Sequence, residues 1–331
     1  MYRKIMGFLE AWKESEHRKP LILQGARQVG KTYSILEFGR THYENVAYFN
    51  FETNPKLNET FEENISPDYL IPILSHIAGQ TIVKEKTLIV FDEVQLCERA
   101  LTSLKYFCED APDYHIIVAG SLLGVAVNRA KFSFPVGKVD MKTLYPMDME
   151  EFMLALGEDD LVAQIKKCFQ TDTPLPSALH DAAMQLYRQY LVVGGMPECV
   201  MQFAETKDYI LVRHTQDTIL ASYLNDMSKY NNLNEIKKTR LAYDNITVQL
   251  SKKNTRFQYK LIKKGGRASE FENAIEWLCL SGIVSQVYKV EQIKKPLENY
   301  RDIDAFKIYV SDLGLLCAKK DLAANDILYM V

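Results

Sequence analysis

The stretch LILQGARQVGKT (residues 21–32) sets four mostly apolar residues directly before a turn that opens on Gly25 and closes on Gly30, Lys31 and Thr32. The turn either cradles a phosphate or only hands a strand over to a helix. Gly25, Gly30, Lys31 and Thr32 satisfy G-x-x-x-x-G-K-[ST] at every position. A plain strand-to-helix turn accounts for one glycine, but not for two glycines five apart with Lys-Thr attached. On the phosphate reading, glycines let successive backbone N–H groups converge on phosphate oxygens, and the helix starting near Lys31 adds the positive end of its dipole. Lys31 reaches the terminal phosphates, and the Thr32 hydroxyl serves a Mg²⁺ ion.

The nucleotide-binding set is then Gly25, Ala26, Arg27, Gln28, Val29, Gly30, Lys31, Thr32 and Tyr33. Arg27 either touches a phosphate or folds outward to an acidic neighbour. The outward arrangement is favoured, because the backbone and Lys31 already fill the phosphate shell.

A phosphate loop calls for an acid at the end of a buried strand, and TLIVFDEVQ (87–95) supplies two. Asp92 is the Mg²⁺ partner, alongside Thr32, and Glu93 is the general base for an attacking water. Adjacent acids point to the NTPase branch in which another strand is inserted between the loop strand and the acid strand. YHIIVAG (114–120) is that strand here. Ser121 at its end either senses a γ-phosphate or simply turns the chain. The catalytic candidates are Glu93, Lys31 and Ser121.

The bulk sequence fits this. With 331 residues, 47% hydrophobic and 25% charged, it is an ordinary globular chain with room for two or three cores. Its apolar runs fall short of the roughly 20 residues that span a bilayer, so no membrane segment is expected. The first 19 residues lack the uninterrupted apolar core of a signal peptide. Their Ile5, Phe8, Leu9 and Trp12 mark one buried helix face, and Glu10, Glu14 and Glu16 argue against a membrane-surface helix. Six scattered cysteines without C-x-x-C pairs or nearby histidines read as free thiols of a cytoplasmic protein. The histidines form no ligand cluster, so the only metal expected is Mg²⁺.

Short apolar runs alternate with helical patterns from about residue 20 to 150, the signature of a mostly parallel sheet covered by helices. The strand candidates are 20–24, 45–51, 87–92, 114–120 and 139–145. From 149 to 230 the pattern is helical, with TDTPLPS (171–177) as a loop. Short helices then precede two alternating runs at 283–290 and 305–312, an order that suits a winged helix. The domains expected are a P-loop core with an N-terminal helix (1–148), a helical lid subdomain (149–230) and a winged-helix-like domain (231–331). Between residues 235 and 270 ten Lys or Arg face three acids, a local excess of seven positive charges. Such a segment either neutralises DNA phosphates or forms a solvated or protein-docking face.

Taken in order, GARQVGKT (25–32), FDEVQ (91–95), AGS (119–121), PVGKVDMKTLYPMDMEEF (135–152) and YLVVGGMPE (190–198) resemble the prokaryotic AAA-type ATPases of the AAA_14 group with DUF4143. The resemblance spans essentially the whole chain and implies an ATP-binding core, a helical lid and a winged-helix-like part. Adenine as the base is implied by the resemblance alone. Similar chains often carry Gly-Arg where this one has Gly137-Lys138, so Lys138 in a finger role is in doubt and a surface lysine is favoured. They also continue, after a segment like YVSDLGLL (309–316), into a nuclease-like DUF4143 portion that this sequence is read as lacking.

The function expected is Mg²⁺-dependent ATP hydrolysis driving a conformational switch. The alternative is a nucleic-acid-binding winged-helix protein gated by nucleotide, and a third reading is a scaffold that binds ATP without turnover. ATP is the expected partner, with DNA through 235–270, a protein partner or self-association as further ones.

Overall fold

A computed structural model describes residues 1–120, 135–229, 233–252 and 256–329. They fall into two compact units, Tyr2–Tyr145 and Pro146–Val331.

In the first unit the apolar runs become β1 (Leu21–Gln24), β2 (Asn45–Asn50), β3 (Thr87–Asp92), β4 (His115–Ala119) and β5 (Asp140–Thr143). They form one sheet in the order β2-β3-β4-β1-β5, with every neighbouring pair parallel. β4 lies between β1 and β3, so YHIIVAG is an inserted strand. β3 and β4 are buried at every position, as expected of central strands covered on both faces.

Alternating residues of these strands serve two layers. Ile22, Phe49, Phe91, Ile116 and Val118 join Leu57 and Phe61 of α3 (Lys56–Glu63), Leu70 and Leu74 of α4 (Pro67–Ala78), and Leu104 and Phe107 of α5 (Glu98–Asp110). Phe51, Phe61 and Phe91 pack with ring centroids 5.6–5.9 Å apart, each worth about 2 kcal/mol in area removed from water. On the other layer, α2 (Lys31–His42) buries Ile35, Phe38 and Gly39. α1 (Ile5–Lys13) buries Ile5, Leu9 and Trp12, and Trp12 Nε1 donates to Lys19 O at 2.9 Å. Phe8 is only half-buried, beneath the Lys142 ammonium at 4.6 Å. No helix among the described residues is long and apolar enough to cross a membrane.

The second unit begins with α6 (Met149–Ala155), α7 (Asp159–Gln170), α8 (Ser177–Val193), α9 (Pro197–Thr206) and α10 (Tyr209–Lys229). It continues with α11 (Leu233–Leu250), α12 (Ala268–Leu280), the antiparallel pair β6 (Val284–Val290) and β7 (Arg301–Val310), α13 (Leu313–Lys319) and α14 (Ala324–Leu328). Asp148 caps α6 by accepting from Glu151 N, and Glu151 returns a bond to Asp148 N. This is the capping box that the sequence DMEE allows.

The two glycine-bearing blocks of the sequence, VVGG (192–195) and SDLG (311–314), meet in this unit. Asp312 is buried; its Oδ2 accepts from Gly195 N at 2.6 Å and its Oδ1 from Leu315 N at 2.8 Å, capping α13. A side chain at Gly195 would overlap the Met147 carbonyl, and one at Gly314 would overlap the Val193 carbonyl. The backbones can approach only because both positions lack Cβ. Gln216 Nε2 closes the crossing by donating to Val192 O and Val193 O at 2.9 and 3.0 Å.

Burial pushes the Asp312 carboxyl from 3.8 up to about 6, against the backbone N–H groups that pull it down. The folded state therefore holds the extra proton between those values, and this group's contribution to stability weakens as pH rises from 3.8 to about 6. Asp312→Asn puts an amide donor against a backbone donor, at a cost of about 1–3 kcal/mol. In a Trp12→Phe background, urea unfolding followed by Trp277 fluorescence at neutral pH should show this loss. The variant should also lack the wild-type slope in that pH window.

Candidate nucleotide site

The loop after β1 leaves the sheet with Gly25 at φ 147° and enters α2 through Gly30 at φ 90° and ψ 24°. A Cβ at Gly25 would strike the carbonyl oxygen of Leu144, just past the end of the adjacent β5. That oxygen is fixed because Leu144 N donates to Gln24 O at 2.8 Å. Ala26 and Val29 turn their side chains into the core, with exposures of 3% and 0%, so what they can offer a ligand is backbone. Tyr33 is exposed at the start of α2. Among the described residues, no backbone carbonyl accepts from the N–H groups of Gly30, Thr32 or Tyr33, the orphan donors of a helix start.

Lys31 is buried and arched back over the loop, its Nζ donating to the carbonyls of Gly25 and Ala26 at 2.8 Å each. Thr32 Oγ1 donates to Asp92 Oδ2 at 3.0 Å, across the top of the inserted β4. The loop and the acid strand thus meet at one hydroxyl–carboxylate contact. The same Asp92 oxygen accepts from Tyr48 OH at 2.7 Å, and Asp92 Oδ1 accepts from Glu93 N at 3.0 Å. Tyr48 comes from β2, and Asn50 Nδ2 donates to its hydroxyl at 3.2 Å. Burial, and after it the Asp92 contact, pushes the Tyr48 phenol up to about 12, so it stays a donor at neutral pH.

Glu93 lies in the left-handed region (φ 51°, ψ 37°), which costs a non-glycine residue about 1 kcal/mol or more and is frequent at functional sites. Gln95 Nε2 donates to its carboxylate.

The sequence candidates thus separate by position. Loop residues 25–33, Asp92 and Glu93 gather at the carboxyl edge of the sheet. Ser121 lies outside the described residues. Lys138 precedes β5, at the opposite, amino edge, where its Nζ pairs with Glu109 at 2.9 Å. It is a surface lysine and not a phosphate contact within its own chain. Arg99 ties α5 to α3, its Nε donating to Phe61 O at 2.8 Å.

Arg3 and Tyr48 were not visible as site residues in the sequence. Arg3, buried ahead of α1, donates from Nη1 to Val29 O at 2.9 Å and from Nη2 to Tyr145 O at 2.8 Å. The one signal for Tyr48 is position: it is an aromatic on the outward face of the alternating strand NVAYFN, near the strand's carboxyl end.

The basic segment also resolves into parts. Lys238 pairs with Glu235 at 2.9 Å and Lys263 with Glu270 at 3.2 Å. The exposed face of α12, the helix before the β6–β7 hairpin, carries Glu272, Asn273 and Glu276 and no cation.

An AAA domain model, AAA_14, matches residues 17–153. The chain carries an AAA-type P-loop domain. Residues 184–326 match a domain of unknown function, DUF8612, which takes the place of the DUF4143 pairing expected from the sequence. Among solved structures, a Walker-type ATPase of Pyrococcus abyssi is similar over 96% of this chain and 95% of its own, with 13% identity and a TM-score of 0.58. The Aeropyrum pernix ORC2 protein, solved as ADPNP-ADP complexes, aligns over 99% of this chain and 94% of its own at 11% identity and a TM-score of 0.49. No curated protein matches. At such identities the likeness to solved structures concerns the fold.

The close approach at Gly25 gives a direct test. Gly25→Ala forces either the loop or residues 144–145 to move, at a cost of about 1–3 kcal/mol. A lower melting temperature, followed through Trp12 fluorescence in a Trp277→Phe background, is the expected result.

Proposed function

We propose that the chain binds ATP with Mg²⁺ and hydrolyses it, using the hydrolysis to drive a conformational switch. The observation that supports this most is the Thr32–Asp92 contact, because it brings the loop's hydroxyl and the strand's carboxylate to one point. Two hard oxygens 3.0 Å apart, at a helix start, suit a small divalent cation. Thr32 would hold it directly and Asp92 directly or through its water. Bound there, the ion would supply charge neutralisation between the β- and γ-phosphates.

The loop's N–H groups and the Lys31 ammonium bind the phosphates, with Lys31 exchanging the Gly25 and Ala26 carbonyls for phosphate oxygens. Glu93 orients a water and takes its proton as the water oxygen bonds to the γ-phosphorus. The bond from that phosphorus to the bridging oxygen breaks, and its electron pair leaves on ADP. Tyr48 and the Glu93 N–H hold the Asp92 carboxylate in place.

The winged-helix order of α11, α12, β6 and β7 keeps nucleic-acid binding as a second reading, through Lys260, Lys264 and Arg267, which are exposed. The acidic face of α12 weighs against it, since a helix presenting Glu272 and Glu276 repels phosphate. The lid role of 149–230 and the winged-helix role of 231–331 belong to this proposal as well.

Lys31→Ala should abolish ATP binding. Glu93→Gln should bind ATP like the wild type while turnover falls by about a hundredfold or more; wild-type turnover by this variant would show the base to be misassigned. Tyr48→Phe should keep ATP binding without metal intact but raise the Mg²⁺ concentration for half-maximal effect by about two- to tenfold. A Mg²⁺ titration with a fluorescent ATP analogue reads this directly.

A further inference from the structure

Resting on the ATPase reading above, we propose that Arg3 is a positioning residue of the phosphate loop, acting through the peptide that joins Val29 to Gly30. In a trans peptide the carbonyl and the following N–H point in opposite directions. The Arg3 guanidinium holds the Val29 carbonyl at 2.9 Å, and it does so from inside the protein, since Arg3 is only 3% exposed. The N–H of Gly30 is thereby turned the other way, out of the fold and toward the side on which α2 begins. Rotation of this peptide would replace that donor with a carbonyl oxygen facing phosphate.

The second arm of the same guanidinium holds the Tyr145 carbonyl at 2.8 Å. Tyr145 follows Leu144, whose own carbonyl defines the space at Gly25 and whose N–H donates to Gln24 O at 2.8 Å. Both ends of the loop are therefore gauged against residues 144 and 145, the near end by contact at Gly25 and the far end through Arg3. A planar fork with fixed spacing suits two carbonyls from separate segments, whereas a lysine brings a single nitrogen. The Arg3 backbone is itself anchored: Met6 N donates to Arg3 O at 3.0 Å, and the helix that follows buries Ile5, Leu9 and Trp12. The N-terminal helix thus contributes to the site without touching ligand.

The test compares purified Arg3→Met, Arg3→Lys and wild-type chains by titration with a fluorescent ATP analogue, with Mg²⁺ and again with a chelator. A control, Phe107→Leu, removes buried volume in α5, away from the loop. All titrations are run well below the measured melting temperatures. Arg3→Met is expected to bind about tenfold or more weakly under both conditions, the scale of losing one hydrogen bond to a charged group. Arg3→Lys should fall between Arg3→Met and wild type. Phe107→Leu should melt earlier with its affinity unchanged.

Wild-type affinity, within about twofold, in Arg3→Met overturns the proposal, because one lost hydrogen bond to phosphate exceeds that. Should Arg3→Met not fold, unchanged affinity in Arg3→Lys overturns it equally. An equal affinity loss in Phe107→Leu also overturns it, by showing that general destabilisation is enough. Failure of the wild-type chain to bind ATP overturns the ATPase reading itself and is seen before any variant is compared.

Discussion

Two strand ends that are not neighbours have to deliver a hydroxyl and a carboxylate to the same place. β1 and β3 are separated by the inserted β4, so the contact of Thr32, in the first turn of α2, with Asp92 has to span that strand. Every other feature of the site follows from this span. Gly25 must lie flat against residue 144 to launch the loop at the right height, and Gly30 must adopt a left-handed conformation to start the helix. Asp92 must then be held from β2 and from its own following N–H, so that it faces Thr32. The buried aromatic layer beneath β3 holds the carboxylate's position, since moving the strand end would disturb Phe91 and the rings of Phe49, Phe51 and Phe61 packed on it.

The second unit depends on a different device. A buried carboxylate there takes the place that an apolar contact would usually fill, and it is tolerated because backbone N–H groups converge on it where glycines let two chain segments touch. Asp312 works as a helix cap and as a clasp in one side chain. Its displaced acidity follows from desolvation exceeding that hydrogen bonding.

Much of the fold, and the meeting of the loop with the acid pair at one sheet edge, could be read from residues alone. The P-loop spacing and the acid pair were legible because each is local: the chemistry sits within a few residues of a strand end. The inserted strand was legible for the same reason, through the adjacent acids. Contacts made across distance were not. Arg3 lies 26 residues from Val29 and 142 from Tyr145, and nothing around it in MYRKIMGF marks it as a loop anchor. Lys138 required the direction of β5 to be known before its place at the wrong edge was evident. VVGG and SDLG stood out as blocks, yet their meeting over 117 residues had no signal in either. The charge of the basic segment depends on where the window is drawn. A window closing at residue 270 counted the cations of the loop and left out Glu272 and Glu276, which decide the charge of the helix face that follows.

The clasp at Asp312 also sets an order of events during synthesis. The sheet of the first unit has all its strands once residue 143 has been made, and its Arg3 contact needs only two residues more. The crossing in the second unit joins residues 117 positions apart, so the N–H of Gly195, just past α8, lacks this acceptor until Asp312 leaves the ribosome. Contacts of such long sequence separation form late and leave intermediate surfaces open to solvent. A growing chain would therefore carry a finished N-terminal unit ahead of an unclosed helical one, and the latter would be the part offered to chaperones and proteases.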